Sequence, residues 1–239
     1  MQNKESEAKY PMRINKYLAL NKYSTRKGAD ELIKESKVFI NGKLAKLGDK
    51  VKELDKIEVR FHGVRKPNVY IAYNKPKGVI THSPQKGEKE IKDTINIKGV
   101  FPIGRLDKDS HGLIILTDDG RITERLLGPT YSHEKEYVVK TKNDLRTSFK
   151  EKMEKGVKID RETTKPCKVE IINKRLFKVI LTEGKKHQIR RMCVALFQEV
   201  DDLKRTRIMN IRLNDIPEGK YRNIEGEELK KFLHALGLD

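Results

Sequence analysis

The 239-residue sequence predicts an α+β protein, a small helix-helix-strand unit followed by a larger domain with a mostly antiparallel central sheet flanked by helices. Three features predict it. Helical periodicity over residues 13–33 gives way to a short apolar run and an Asn-Gly turn; a basic, Pro-containing stretch follows at 61–68; beyond it, strand candidates alternate with amphipathic segments.

RINKYLALN (13–21) places Ile14, Tyr17 and Leu18 at i, i+3 and i+4, the spacing of a helix with one buried face. Ser24 or Thr25 suits the N-cap of a second helix, with Ala29, Leu32 and Ile33 on its inner face. VFI (38–40) then runs into Asn41-Gly42, a hairpin signal because both residues tolerate positive φ. FHGVRKPN (61–68) reads as a linker, with a new apolar run starting at VYIAYN (69–74). Past it, LIILT (113–117), EYVVK (136–140), CKVEII (167–172), LFKVILT (176–182) and RIMNIRL (207–213) are expected as strands. RITERLL (121–127), DLRTSFKEKM (144–153), HQIRRMCVALF (187–197) and EELKKFLHAL (227–236) are expected as helices. The expected division is 12–62, a linker at 63–68, and 69–239.

Composition narrows the function. Lys and Arg number 53 against 35 Asp and Glu, a formal net charge of +18, which points to a polyanionic partner, usually nucleic acid. Between positions 13 and 46 stand nine basic residues and three acidic ones, so Arg13, Lys16, Lys22, Arg26, Lys27 and Lys43 are candidates for phosphate contacts, with Lys185 and Lys186 further on. No run approaches the ~20 apolar residues of a membrane span, and the N-terminus lacks a secretory apolar stretch, so a cytoplasmic protein is expected. Cys167 and Cys193 form no C-x-x-C pair, and HEKEY (133–137) has Tyr where a zinc-peptidase helix would have its second His. No metal and no cofactor are expected, and nothing in the pattern indicates more than a monomer.

GRLDKDSHGLIILTDDG (104–120) carries the chemistry. Asp107 precedes a turn leading into the apolar strand LIILT, so its carboxylate is partly desolvated and needs a cation to stay charged. Arg190, beside the buried stripe of Ile189, Met192, Cys193 and Leu196, is a candidate partner. A lone turn aspartate is more often a backbone cap, and Asp107 with Asp109 would suit a hydrolase only if residues i and i+2 of a turn faced one way.

The longer pattern resembles known families. RINKYLALNKYSTRKGADELI with KVFINGKLAKLGDKV resembles an S4 domain, a small RNA-binding module. NKPKGVI (74–80), VFPIGRLDKDSHGLIILTDDG (100–120), HEKEYVV (133–139) and EGKKHQIRRM (183–192) together resemble the motif series of pseudouridine synthases, in the branch that modifies ribosomal RNA behind an S4 domain. FPIGRLDKDS, HEKEY and RTRIMN look most like the F type among the synthases of large-subunit ribosomal RNA, with the B and E types and the small-subunit enzyme near. The resemblance implies an isomerase that converts uridine to pseudouridine in large-subunit (23S) ribosomal RNA, with a transfer RNA or a pre-ribosomal particle as further partners. It implies that Asp107 is the essential aspartate, acting by attack on sugar C1′, addition to base C6, or removal of a sugar proton. It also implies that Arg190 keeps that carboxylate ionised, that Tyr137 stacks on the base, that Arg105 fills the space the flipped uridine leaves, and that Ile189 packs on the base. A non-catalytic, ribosome-associated S4 protein is the alternative, one that gives the second domain no purpose.

Overall fold

The computed structural model describes residues 10–21, 23–60, 67–128 and 130–238, which excludes Lys22 and most of the expected linker. Residues up to Pro67 form one compact unit and Asn68–Asp239 a second.

The first unit runs β1 (Met12–Arg13), α1 (Ile14–Leu20), α2 (Arg26–Lys34), β2 (Val38–Ile40), β3 (Lys43–Leu44), β4 (Lys50–Val51) and β5 (Ile57–Val59). The Thr25 side chain caps α2 by accepting from the Gly28 amide at 3.0 Å, which settles the Ser24-or-Thr25 choice. Ile14, Leu18, Ala29 and Ile33 bury with Val38 and Val51, as the helical spacing requires. Asn41 and Gly42 both take positive φ and join β2 to β3, while β5 pairs along the other edge of β2.

The second unit contains β6 (Tyr70–Lys75), β7 (Phe101–Ile103), β8 (His111–Thr117), α3 (Arg121–Leu127), β9 (Lys135–Thr141), α4 (Phe149–Glu154), β10 (Lys158–Ile159), β11 (Glu162–Thr163), β12 (Lys168–Asn173), β13 (Leu176–Leu181), α5 (Gln188–Ala195), β14 (Val200–Ile208), β15 (Ile211–Arg212), β16 (Tyr221–Asn223) and α6 (Gly226–Ala235). Its sheet has the order β12-β13-β9-β14-β8-β6-β16, with β15 added to β14 and β7 to β8. Every pairing in it is antiparallel except β14 with β8.

Two expectations need correction. RIMNIRL is not one strand: β14 starts at Val200, and the chain reverses at Met209, φ 51°, before β15. Its first half is hidden in the sequence because Asp202, Lys204 and Arg205 occupy strand positions that apolar residues usually fill. The helix expected at 144–153 forms only over Phe149–Glu154, where Phe149 and Met153 give it a buried side.

Three apolar clusters hold this unit. One packs β6, β8, α3 and α6 through Ala72, Leu113, Ile115, Ile122 and Phe232. A second gathers Val139, Phe149, Phe177, Ile189 and Met192. A third joins Ile71, Tyr73, Leu106, Ile114 and Leu116. Tyr137, half-buried, packs against both the second and the third, so a seam between two half-cores runs past its ring.

Candidate active site

The site is assembled on one row of the sheet. Lys75 of β6 pairs with Gly112 of β8, Gly112 with Arg205 of β14, and Arg205 with Tyr137 of β9. Directly paired residues project to the same face, so two cations and an aromatic ring share a side, with the glycine between them. Gly112 has φ 103°, and a Cβ there would stand 2.3 Å from the Arg205 carbonyl oxygen. Only glycine lets β8 and β14 approach so closely at this point.

The turn carrying Asp107 enters this row from β7. Ser110 N–H donates to the Asp107 carbonyl at 3.1 Å, closing the turn one residue before β8 begins. The loop after β6 braces it from outside. Gly78 N–H donates to the Lys108 carbonyl at 2.9 Å, and the Thr81 hydroxyl both donates to the Leu106 carbonyl and accepts from its amide, at 2.8 and 3.0 Å. Lys108 adds an ion pair to Glu88 at 2.9 Å. Backbone and side-chain contacts thus fix the residues on both sides of Asp107, while its own carboxylate stays 35% exposed.

The charge around that carboxylate differs from expectation. Arg190 does not pair with it; Nη2 donates instead to the backbone carbonyl of Asp109, at 3.0 Å. The guanidinium reaches the correct turn but is taken up by a peptide oxygen. Among the described residues the basic side chain on the Asp107 carboxylate is His187, whose Nε2 lies 3.4 Å from Oδ1. His187 is the N-cap of α5 and adopts a left-handed conformation, φ 51°, which turns the chain into the helix at this point.

Two further cations were not singled out by sequence. Lys75 is wholly buried, its Nζ donating to the Val79 and Pro76 carbonyls at 2.6 and 3.0 Å. Burial pulls its pKa down to about 8, a fall that the nearby Asp107 carboxylate resists and Arg205 adds to. Arg205 is 4% exposed; Nε donates to the Leu113 carbonyl at 2.7 Å, Nη1 to the Arg105 carbonyl at 3.4 Å, and Nη2 has no partner among the described residues. Lys135, on β9 two residues before Tyr137, also has its pKa lowered by burial and by Arg205. The signal for Lys75 was present in NKPKG, because a lysine ending a continuous apolar strand is dragged into the core with it.

The other expected residues fall as follows. Ile189 is buried in the second core cluster, on the Tyr137 side of the sheet. Arg105 is exposed, and its carbonyl is the group that Arg205 reaches. Lys185 is held by Glu162, while Lys186 is exposed. In the first unit Arg13, Lys16 and Arg26 line one hollow with Pro11, Met12 and Asn15, while Lys27 and Lys43 are exposed elsewhere on that unit. Among the described residues no His, Cys, Asp and Glu side chains gather as a metal-binding group, and no helix is long and apolar enough to cross a membrane.

Residues 69–195, which span the whole of this constellation except Arg205, match the sequence profile of the family described as RNA pseudouridylate synthase. The chain belongs to the RNA pseudouridine synthase family. The synthase also carries an S4 domain, matched over residues 12–57. It is 40% identical over 223 residues to the dual-specificity RNA pseudouridine synthase RluF of Escherichia coli, covering 91% of this chain and 77% of that protein. It is 36% identical to ribosomal large subunit pseudouridine synthase B of Bacillus subtilis, over 92% of this chain and 95% of the relative. A crystal structure described as a pseudouridylate synthase superimposes with a TM-score of 0.69 at 28% identity, over 94% of this chain and 99% of that one. A purely RNA-binding S4 protein, the alternative, leaves the match over 69–195 unexplained; the synthase is an RNA-modifying isomerase.

Proposed function

We propose that the synthase isomerises uridine in large-subunit (23S) ribosomal RNA, with transfer RNA as a second substrate, acting as a monomer in the cytoplasm. Asp107 is its reacting carboxylate. The observation that carries this reading is the placement of Asp107: a partly exposed carboxylate at the head of a wholly buried strand, on a turn braced from both sides, in the field of the buried Lys75. The names of the Escherichia coli and Bacillus subtilis relatives support the choice of RNA.

The reaction breaks the bond from uracil N1 to sugar C1′, turns the base, and joins C5 to C1′, with the C5 proton lost and N1 protonated, so no atom is gained or lost overall. Asp107 supplies the ionised oxygen this requires. The buried Lys75 is coulombically coupled to that carboxylate, and His187 Nε2 lies 3.4 Å from its Oδ1; burial makes the Lys75 field count for more than the same charge would in water. Arg190 acts one step removed, by holding the Asp109 carbonyl and with it the turn. The target base must leave its stack at a cost of a few kcal/mol. Stacking on Tyr137, whose hydroxyl makes no hydrogen bond among the described residues, returns roughly 1–3 kcal/mol of that. Arg105 is free to occupy the vacated space, and the exposed cations of residues 12–62 hold the phosphates, as the basic side chains of Lys22 and Lys186 also do.

Two measurements test the reading. Asp107→Asn keeps the shape and removes the charge, so pseudouridine formation on a 23S fragment should fall below detection while RNA affinity stays within a few-fold. Turnover by that variant would remove Asp107 from the chemistry. Tyr137→Phe should bind the RNA almost as wild type and Tyr137→Ala about tenfold more weakly, the loss of ~1.4 kcal/mol of stacking; equal affinities would refute the stacking role.

A further inference from the structure

We propose that His111 is a positioning residue for the reaction, pinning the exit of the Asp107 turn between two carboxylates from separate parts of the fold. The inference rests on the reading of Asp107 as the reacting group. His111 is the first residue of β8 and follows Ser110, whose amide closes the turn on the Asp107 carbonyl. The residue is 8% exposed, yet both ring nitrogens face acids. Nε2 lies 3.0 Å from Asp202 Oδ2, and Nδ1 lies 3.0 Å from Glu218 Oε1, off the line a hydrogen bond needs.

Asp202 is held by its second partner and Glu218 by the backbone of its loop. Asp202 belongs to β14, and its second oxygen takes Lys77 from the loop after β6. Burial alone would raise the Asp202 carboxyl; the His111 and Lys77 contacts outweigh it and hold its pKa below the usual range. Glu218 sits in a loop moored to Asn74 at three points. The Asn74 amide donates to the Lys220 carbonyl at 3.0 Å, the Gly219 amide to the Asn74 carbonyl at 2.9 Å, and Asn74 Nδ2 to the Ile216 carbonyl at 2.7 Å. Asn74 is the neighbour of Lys75, so the post that holds His111 is built on the strand that also carries a buried cation of the site.

The chain of contacts Lys77–Asp202–His111–Glu218 therefore ties the β6 loop, β14, the head of β8 and the 214–220 loop together, four residues from Asp107. The two ring nitrogens face acids from separate parts of the fold, so the one ring links both. A histidine engaged with one acid would only be a core polar residue; bridging two makes the ring a cross-brace. A misplacement of even about 1 Å at a reacting group can cost roughly 100-fold in rate.

The experiment compares His111→Ala, Glu218→Ala and the double variant in the full chain. It measures the single-turnover rate of pseudouridine formation on a 23S fragment, RNA affinity, and thermal unfolding. His111→Ala should slow the chemical step at least tenfold with affinity within twofold of wild type. Glu218→Ala should slow it severalfold, and the double variant should be no slower than His111→Ala, because both changes break one brace. A rate within twofold of wild type for His111→Ala, a loss confined to affinity, or losses that multiply in the double variant would overturn the proposal. Should His111→Ala fail to fold, Glu218→Ala carries the test alone, since that side chain is 54% exposed, and an unchanged rate refutes the brace. An active Asp107→Asn would sink the underlying reading; an inactive one beside a full-speed His111→Ala would sink only this inference.

Discussion

In the N-terminal unit Arg13, Arg26, Lys27 and Lys43 hold their charge in solvent, whereas in the catalytic unit Lys75 and Arg205 hold theirs in the interior, 0% and 4% exposed. The residue types are the same and the physics is not. An exposed cation attracts a polyanion from any direction but is screened beyond about 8–10 Å at physiological salt. A buried cation is screened far less, acts on the few groups beside it, and costs desolvation energy that the fold must offset. Under the proposed function, burial is thus what separates charge used for affinity from charge used for chemistry.

Glycine substitutions give the largest expected contrast between the units. Gly112→Ala would drive a Cβ to 2.3 Å from the Arg205 carbonyl oxygen at a φ of 103°, so overpacking and backbone strain together should cost roughly 3–5 kcal/mol. Gly42→Ala has a φ of 77° and nothing within 4 Å, so it should cost only about 1–2 kcal/mol. Denaturant unfolding of the two variants checks this, and similar losses would mean that β8 and β14 are not held as closely as described.

Lys75→Met sharpens the comparison through pH. Burial depresses the folded pKa to about 8 from an ordinary value of 10.5, so between those limits the unfolded chain binds more protons. Wild-type stability relative to Lys75→Met should therefore be flat below about pH 8 and rise from there towards pH 10.5. Activity should move the opposite way: the wild-type rate declines above about pH 8 as the amine loses the charge that supports Asp107, and Lys75→Met should be about tenfold slow at about pH 7, ~1.4 kcal/mol in the barrier. Parallel pH profiles for the two proteins would show that the buried charge is irrelevant to the chemistry.

The exposed cations should leave a smaller and different mark. Replacing Arg13, Lys16 and Arg26 together with Ala should reduce the slope of log affinity against log salt by about 2, in proportion to the phosphates no longer neutralised. The pH profile of the rate should keep its wild-type shape. An unchanged salt slope would remove these three side chains from the RNA contact.

What the sequence made legible follows the same division. Periodicity placed α1, α2, α3 and β8 to within about two residues, because each has an unbroken apolar stripe or run. Tyr137 and Asp107 stood out by motif; Tyr137 lies on the row with Gly112 and Arg205, and Asp107 on the turn just ahead of β8. The partner of Asp107 did not stand out, because a helix N-terminus in left-handed conformation at His187 sets which side chain reaches the carboxylate, and spacing along α5 carries no sign of it. Arg205 was hidden for a related reason. Its neighbours Lys204 and Thr206 make the first half of β14 look like surface, and only the pairing with β8 and β9 puts it indoors.

The row from Lys75 through Gly112 and Arg205 to Tyr137 crosses four adjacent strands, and neighbouring strands lie about 4.8 Å apart. The distance from the strand of Lys75 to that of Tyr137 is consequently about 14 Å, set by the backbone ladder as the rungs set a gauge. Side-chain rotamers can alter what each rung presents, but not the spacing between rungs.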